Sequence, residues 1–181
     1  MLLAYTQLCE LIEQGVINAD YNNVNSASID LTLDSIIRIE STNEFSNQVV
    51  DISNKESIAT REVNIADSSY VIKPGEFILA SSVEVFNLPN HISGEYKLKS
   101  TMARNGLEHL NAGWADAGWH GSKLTLEFFN ATRYHSLRIR PGMKIGQIVF
   151  FQHSEVPEDK SYAARGQYNG QTVVTAAKEL L

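Results

Sequence analysis

Two Pro-Gly turns constrain this chain most. Lys73-Pro74-Gly75-Glu76 and Arg140-Pro141-Gly142-Met143 each set Pro at the second position of a turn and Gly at the third, where a type II turn needs φ > 0. Each turn leads into an apolar run, 77–80 and 145–151, and between the runs lie alternating segments at 93–98, 123–129 and 136–139. Many short strands separated by Gly-containing loops imply a mainly β sandwich or barrel. Only one helix competes with that pattern, over residues 6–14. Leu8, Leu11 and Ile12 recur there at helical spacing after a Thr6 N-cap, and Gly15 stands where a C′ glycine would end it. From Ser28 the period changes to two. Ile29, Leu31 and Leu33 share one face and Ser28, Asp30, Thr32 and Asp34 the other, which predicts a half-buried strand. Residues 41–69 are rich in Ser, Asn and Asp and read as loops with short strands near Val49-Val50 and 63–65, with no site among them. Residues 162–172 lack periodicity and predict a mobile tail.

Composition narrows the function classes. A chain of 181 residues, 43% hydrophobic, forms one domain with a core large enough to need no staples. The single cysteine, Cys9, has no internal partner and reads as a core residue, so a reducing, cytoplasmic setting is expected. No window nears the roughly 18 apolar residues of a membrane span, and Met1-Leu2-Leu3-Ala4-Tyr5 has no basic region before its apolar residues. The net charge of −6 argues against a nucleic-acid polymer as partner. That charge is uneven: residues 1–95 hold 4 basic and 14 acidic side chains, residues 96–181 hold 11 and 7. The second half therefore suits a small phosphorylated ligand better than a polymer.

Zinc chemistry finds little support. His153-Ser154-Glu155 matches the start of the H-x-E…P-C-x-x-C signature of zinc deaminases, but no cysteine follows it. The histidines at 91, 109, 120, 135 and 153 make no H-x-H or H-E-x-x-H pair and read as surface or loop residues. The segment 97–107 places two cations and two hydroxyls within residues 99–104, which suits either charge-assisted phosphate binding or a solvated strand end. Residues 111–121 hold two indoles and three glycines, fit for a planar ligand or for a packed corner. In 124–130 the alternation sets Thr125, Glu127 and Phe129 opposite Leu124, Leu126 and Phe128. On the residues alone Glu127 meets solvent; in a pocket it would be a general acid–base.

Taken in order, SASIDL (26–31), PGEFILA (74–80), KSTMAR (99–104), NAGWADAGWHG (111–121), LTLEFFN (124–130), PGMKIGQIVF (141–150) and GQYNGQT (166–172) resemble the dCTP deaminase family over nearly the whole chain, 41–69 excepted. The resemblance implies the trimeric dUTPase-like fold, a distorted β-barrel or jelly roll with a short N-terminal helix. It implies a domain over 1–161 and a mobile tail over 162–181 that closes over the nucleotide and crosses to a neighbour in a homotrimer. It also implies zinc-independent hydrolysis of dCTP to dUTP and ammonia, feeding dUMP and dTTP synthesis, with Mg²⁺ held mainly by the triphosphate and dTTP as a feedback inhibitor. Glu127 then falls on the catalytic position, with Ser100 and Arg104 orienting the water and the site. Lys99 and Thr101 lie in the segment facing the triphosphate, and Met102, Ala103, Thr125 and Leu126 fall on further substrate-binding positions. Ala112 sits where main-chain groups read the pyrimidine edge and Asp116 where the deoxyribose is held, while Tyr162, Gln167 and Gln171 are tail positions over the phosphates.

The chain departs from the family pattern with Lys for Arg at 99, Gln for a tail lysine at 167, and a substrate loop one residue short. Lys at 99 loses bidentate phosphate binding. Ala112-Gly113-Trp114-Ala115-Asp116 is similar to members that go on to split the triphosphate, so a bifunctional enzyme giving dUMP and pyrophosphate stands beside the simple deaminase. A dUTPase proper and a non-catalytic nucleotide binder on the same scaffold are the remaining readings.

Overall fold

The computed structural model describes residues 1–41, 49–54 and 56–178. It opens with α1 (Tyr5–Glu13), whose Leu8 and Leu11 are buried. Ala4, not Thr6, is the N-cap, and Gln7 reaches back to the Ala4 N–H at 3.1 Å. The expected start was therefore one residue late: Thr6 lies inside the first turn. Gly15, at φ 72°, closes the helix in a Schellman arrangement, with Val16 N–H donating to Leu11 O and Gly15 N–H to Ile12 O. Cys9 is only half-buried rather than a core residue.

Eleven strands follow among the described residues: β1 (Ile29–Thr32), β2 (Ile36–Glu40), β3 (Thr60–Asn64), β4 (Tyr70–Ile72), β5 (Phe77–Asn87), β6 (Ile92–Leu98), β7 (Leu107–His109), β8 (Trp114–Ala115), β9 (His120–Asn130), β10 (Leu137–Ile139) and β11 (Lys144–Gln152). Two short helices, α2 (Ser100–Arg104) and α3 (Tyr162–Arg165), sit in the connections. The strands form a four-stranded sheet ordered β1-β11-β6-β8, a five-stranded sheet ordered β3-β2-β5-β9-β7, and the pair β10-β4. Both Pro-Gly turns form as expected, with Gly75 at φ 76° and Gly142 at φ 79°. Each frees the chain to turn back sharply into a long antiparallel strand. The mainly β architecture is thus borne out. Val49-Val50 forms no strand, whereas the 63–65 patch marks the end of β3.

The core lies between the two larger sheets. Ile29, Leu31, Ile78, Leu126, Phe128, Ile148 and Phe150 are all fully buried in it, and each contributes about 1.5–3 kcal/mol by leaving water. The strand at Ser28 is buried on both faces rather than one. Asp30 is 4% exposed because Lys99 Nζ at 2.6 Å, Asn25 Nδ2 at 2.8 Å and Lys144 Nζ at 3.3 Å close over it. Burial works against the Asp30 charge, but the bonds from Lys99 and Asn25 outweigh it and hold the carboxyl below the usual range. Its contribution to stability is present at neutral pH and is lost as pH falls through the acid range. Across the fold, burial pushes the Glu84 carboxyl up, although both its oxygens accept from the Thr32 N–H. No helix among the described residues is long and apolar enough to cross a membrane.

Candidate active site

β9 runs through the five-stranded sheet between β5 and β7, pairing Leu79 with Glu127 on one side and His109 with Phe128 on the other. Its period-two alternation sends Leu124, Leu126 and Phe128 into the core. Thr125 and Glu127 therefore face the opposite way, into a cleft of about 430 Å³. Another wall is β8 with the loops on either side of it, which contribute Ala112, Trp114 and Asp116. Phe77 and Leu79 of β5 form part of the apolar floor, and residues 57, 58 and 60 reach in from the stretch where no site was expected. Ser57, Ile58 and Thr60 line the cleft by position alone, with no motif around them.

The tail supplies the third wall. Tyr162 N–H bonds to Ala117 O, Trp119 Nε1 and Ser122 Oγ both donate to Tyr168 O, and Lys123 N–H donates to Gln171 O at 2.7 Å. Residues 162–171 are thereby laid along the first half of β9, and the Gln171 side chain meets Thr125 Oγ1. Tyr162, Tyr168, Gln171 and residues 175–177 line the cleft.

Of the residues singled out in the sequence, Glu127, Thr125, Ala112, Asp116, Tyr162 and Gln171 meet in this one cleft. Leu126 turns its side chain into the core. Gln167 is not among the lining residues, and its carbonyl accepts from Lys178 Nζ. Ser100, Thr101, Ala103 and Arg104 stand exposed on α2, away from the cleft, while Met102 packs on the core and Lys99 is held by Asp30. The indole loop divides its roles. Both indoles line the cleft, but Trp119 is also a packed corner, buried and stacked on Phe86 at 5.3 Å, whereas Trp114 is exposed and donates to Asp116 Oδ1 at 2.7 Å.

One histidine overturns the reading of all five as surface or loop residues. His109 is 4% exposed on β7, with Nε2 3.3 Å from Glu127 Oε2 and its ring centroid 4.4 Å from that of Tyr96. Sequence reasoning missed it because a three-residue strand is too short to show periodicity, although Leu107 and His109 do flank the exposed Glu108. Burial first, and then the charge of Glu127, push the Tyr96 hydroxyl up. The cleft carries two carboxylates, Glu127 and Asp116, and no Lys or Arg among its described lining residues.

A half-shielded carboxylate on a strand, lining a largely apolar cleft with a second carboxylate and two tyrosines, is an arrangement that can perform acid–base chemistry on a planar polar ligand. The chain belongs to the dCTP deaminase-like family, whose sequence model matches residues 2–153. It is 35% identical over its whole length to a protein of Persephonella marina named "dCTP deaminase, dUMP-forming", 98% of which is covered. It is 32% identical to a protein of the same name from Corynebacterium efficiens, covering 100% of this chain and 95% of that one. A solved structure of 2′-deoxycytidine 5′-triphosphate deaminase from Agrobacterium tumefaciens overlaps with a TM-score of 0.64 at 23% identity, which bears on the fold. That overlap covers 82% of this chain and 48% of the other, so this chain spans about half the length of that protein.

Proposed function

We propose that this cleft deaminates dCTP hydrolytically, with Glu127 as its acid–base. The observation that carries the reading is the placement of Glu127: one carboxylate oxygen buried, the side chain 24% exposed, on the cleft floor. Glu127 takes a proton from water as the oxygen attacks C4 of cytosine, then returns it to N3. A second proton passes from the new C4 hydroxyl through the same carboxylate to the amino nitrogen, the C–N bond breaks, and ammonia leaves a uracil carbonyl. One group suffices because acid and base roles alternate along the path. Ala112 lies beside the pyrimidine edge and Asp116 beside the deoxyribose, with Gln171 and Tyr162 toward the phosphates.

The charge of the cleft supports a shared site. A triphosphate cannot settle against two carboxylates without cations, and the exposed Arg104 of the KSTMAR segment stands on α2, outside the described lining of the cleft. In a homotrimer α2 of one subunit completes the cleft of the next, and Mg²⁺ arrives as part of the nucleotide substrate. Light scattering is expected to give three times the chain mass. Mixing Glu127→Gln and Arg104→Ala proteins, each inactive alone, under subunit exchange should restore intact sites in about a quarter of the clefts. No recovery would place both residues in one chain's site.

A second reading concerns the product. The relatives named above are dUMP-forming, which supports a further step on the α-phosphate. Trp114 fixes one oxygen of Asp116 at 2.7 Å and leaves the other to orient a second water for in-line attack. With Mg²⁺ present, dCTP turnover is expected to yield dUMP and pyrophosphate. Stoichiometric dUTP with ammonia would leave a simple deaminase.

A further inference from the structure

We infer that His109 is a positioning residue for Glu127, donating from Nε2 to Oε2 so that the other oxygen is the one presented to the substrate water. The inference rests on the deaminase reading of the cleft and adds a member to it from an otherwise silent strand. His109 Nε2, Glu127 Oε2 and Tyr96 Oη are all buried, and none has a hydrogen-bond partner among the described residues. The 3.3 Å between the first two is close enough for an ionic contact but not aligned as a hydrogen bond.

Leaving a buried polar atom without a partner is costly, and such atoms are rare without a reason. A small turn of the imidazole satisfies two of them at once. Little else can happen to that ring. It is clamped between Tyr96, at 4.4 Å and 46°, and Phe128, at 5.9 Å and 70°, so its freedom is confined to the tilt that makes or breaks the contact. The carboxylate selects the Nε2–H tautomer, since the neutral ring can donate from one nitrogen only. Burial of Oε2 beside His109 leaves Oε1 as the oxygen open to the cleft, which is what a base serving one water requires.

Tyr96 on β6 packs against the His109 ring, and Asp116, Tyr162 and Tyr168 line the same cleft as Glu127. Burial pushes the Tyr96 and Tyr162 hydroxyls up, so neither gains charge near neutral pH. His109→Phe keeps a ring between Tyr96 and Phe128 and alters none of these groups, but removes the donor to a carboxylate that must be ionised to act. The carboxylate is then no longer held with one oxygen toward the water, so turnover falls while dCTP binding holds.

Nuclear magnetic resonance and kinetics test the pair together. Nitrogen shifts should show His109 as the Nε2–H tautomer. In His109→Phe kcat should fall roughly tenfold to a hundredfold with KM for dCTP nearly unchanged. His109→Gln, whose amide reaches the Nε2 position, should recover part of kcat. An Nδ1–H tautomer, or a folded His109→Phe with the wild-type kcat, overturns the assignment. Should His109→Phe not fold, the wild-type tautomer and the kcat of His109→Gln decide. A wild-type protein that leaves dCTP unchanged defeats the deaminase reading, while the His109 tautomer still judges the pair.

Discussion

Glu127→Gln lowers the rate of ammonia release from dCTP by about three orders of magnitude while leaving the fold and dCTP binding in place; this is the expected result. Glutamine keeps the length and shape of the side chain and its hydrogen-bonding capacity, so the β5–β9 register that pairs Leu79 with residue 127 is undisturbed. The side chain also stays in the cleft, because Leu126 and Phe128 on either side are anchored at 0% exposure and fix the direction of the residue between them. Only the proton acceptor is lost. Ammonia release measured against dCTP affinity separates the two effects: a fall in both would point to a binding role, and deamination near the wild-type rate would remove Glu127 from the chemistry.

Gly146→Ala is expected to destabilise the protein by roughly 3 kcal/mol, a fall in the melting temperature of about 6–12 °C. Gly146 lies on β11 opposite Leu98, and the Tyr96 ring, two residues along β6, lies across it. A Cβ at 146 would stand 2.1 Å from Tyr96 Cε2 and 2.3 Å from Cζ and Oη. The ring cannot yield easily, because it is 4% exposed and packed on His109 at 4.4 Å. Its displacement therefore reaches His109 and, through it, Glu127, so kcat should fall together with stability. The cost is coupled to the ring, so combining Gly146→Ala with Tyr96→Leu should destabilise by less than the sum of the two separate changes. Strict additivity in thermal melts would show that the glycine matters for some reason other than the ring.

Parts of the site were open to reading in one dimension. The alternation of LTLEFFN places Glu127 opposite Leu126 and Phe128 whatever the rest of the chain does, because side chains in a strand alternate with a period of two. The Pro-Gly turns and the Schellman glycine are equally local, since each depends on backbone angles available to one residue type. Pattern could not show what lies over the second face of a strand. Asp30 and Glu127 occupy equivalent places in their alternations, and both read as solvent-facing. Asp30 proves to be sealed by Lys99, 69 residues away in sequence, and Glu127 by β8, the tail and His109.

The strand-and-turn grammar, the inward and outward sets of each long strand and, through the ordered motifs, the family follow from the chain read in one dimension. Packing alone set the burial of His109 and Tyr96 beside Glu127, the capture of Lys99 by Asp30, and the placement of α2 outside the described lining of its own chain's cleft. The reason is physical: local conformation follows from the steric limits of neighbouring residues, whereas burial, and with it the charge and hydrogen-bonding state of a side chain, is set by whichever distant segment comes to cover it.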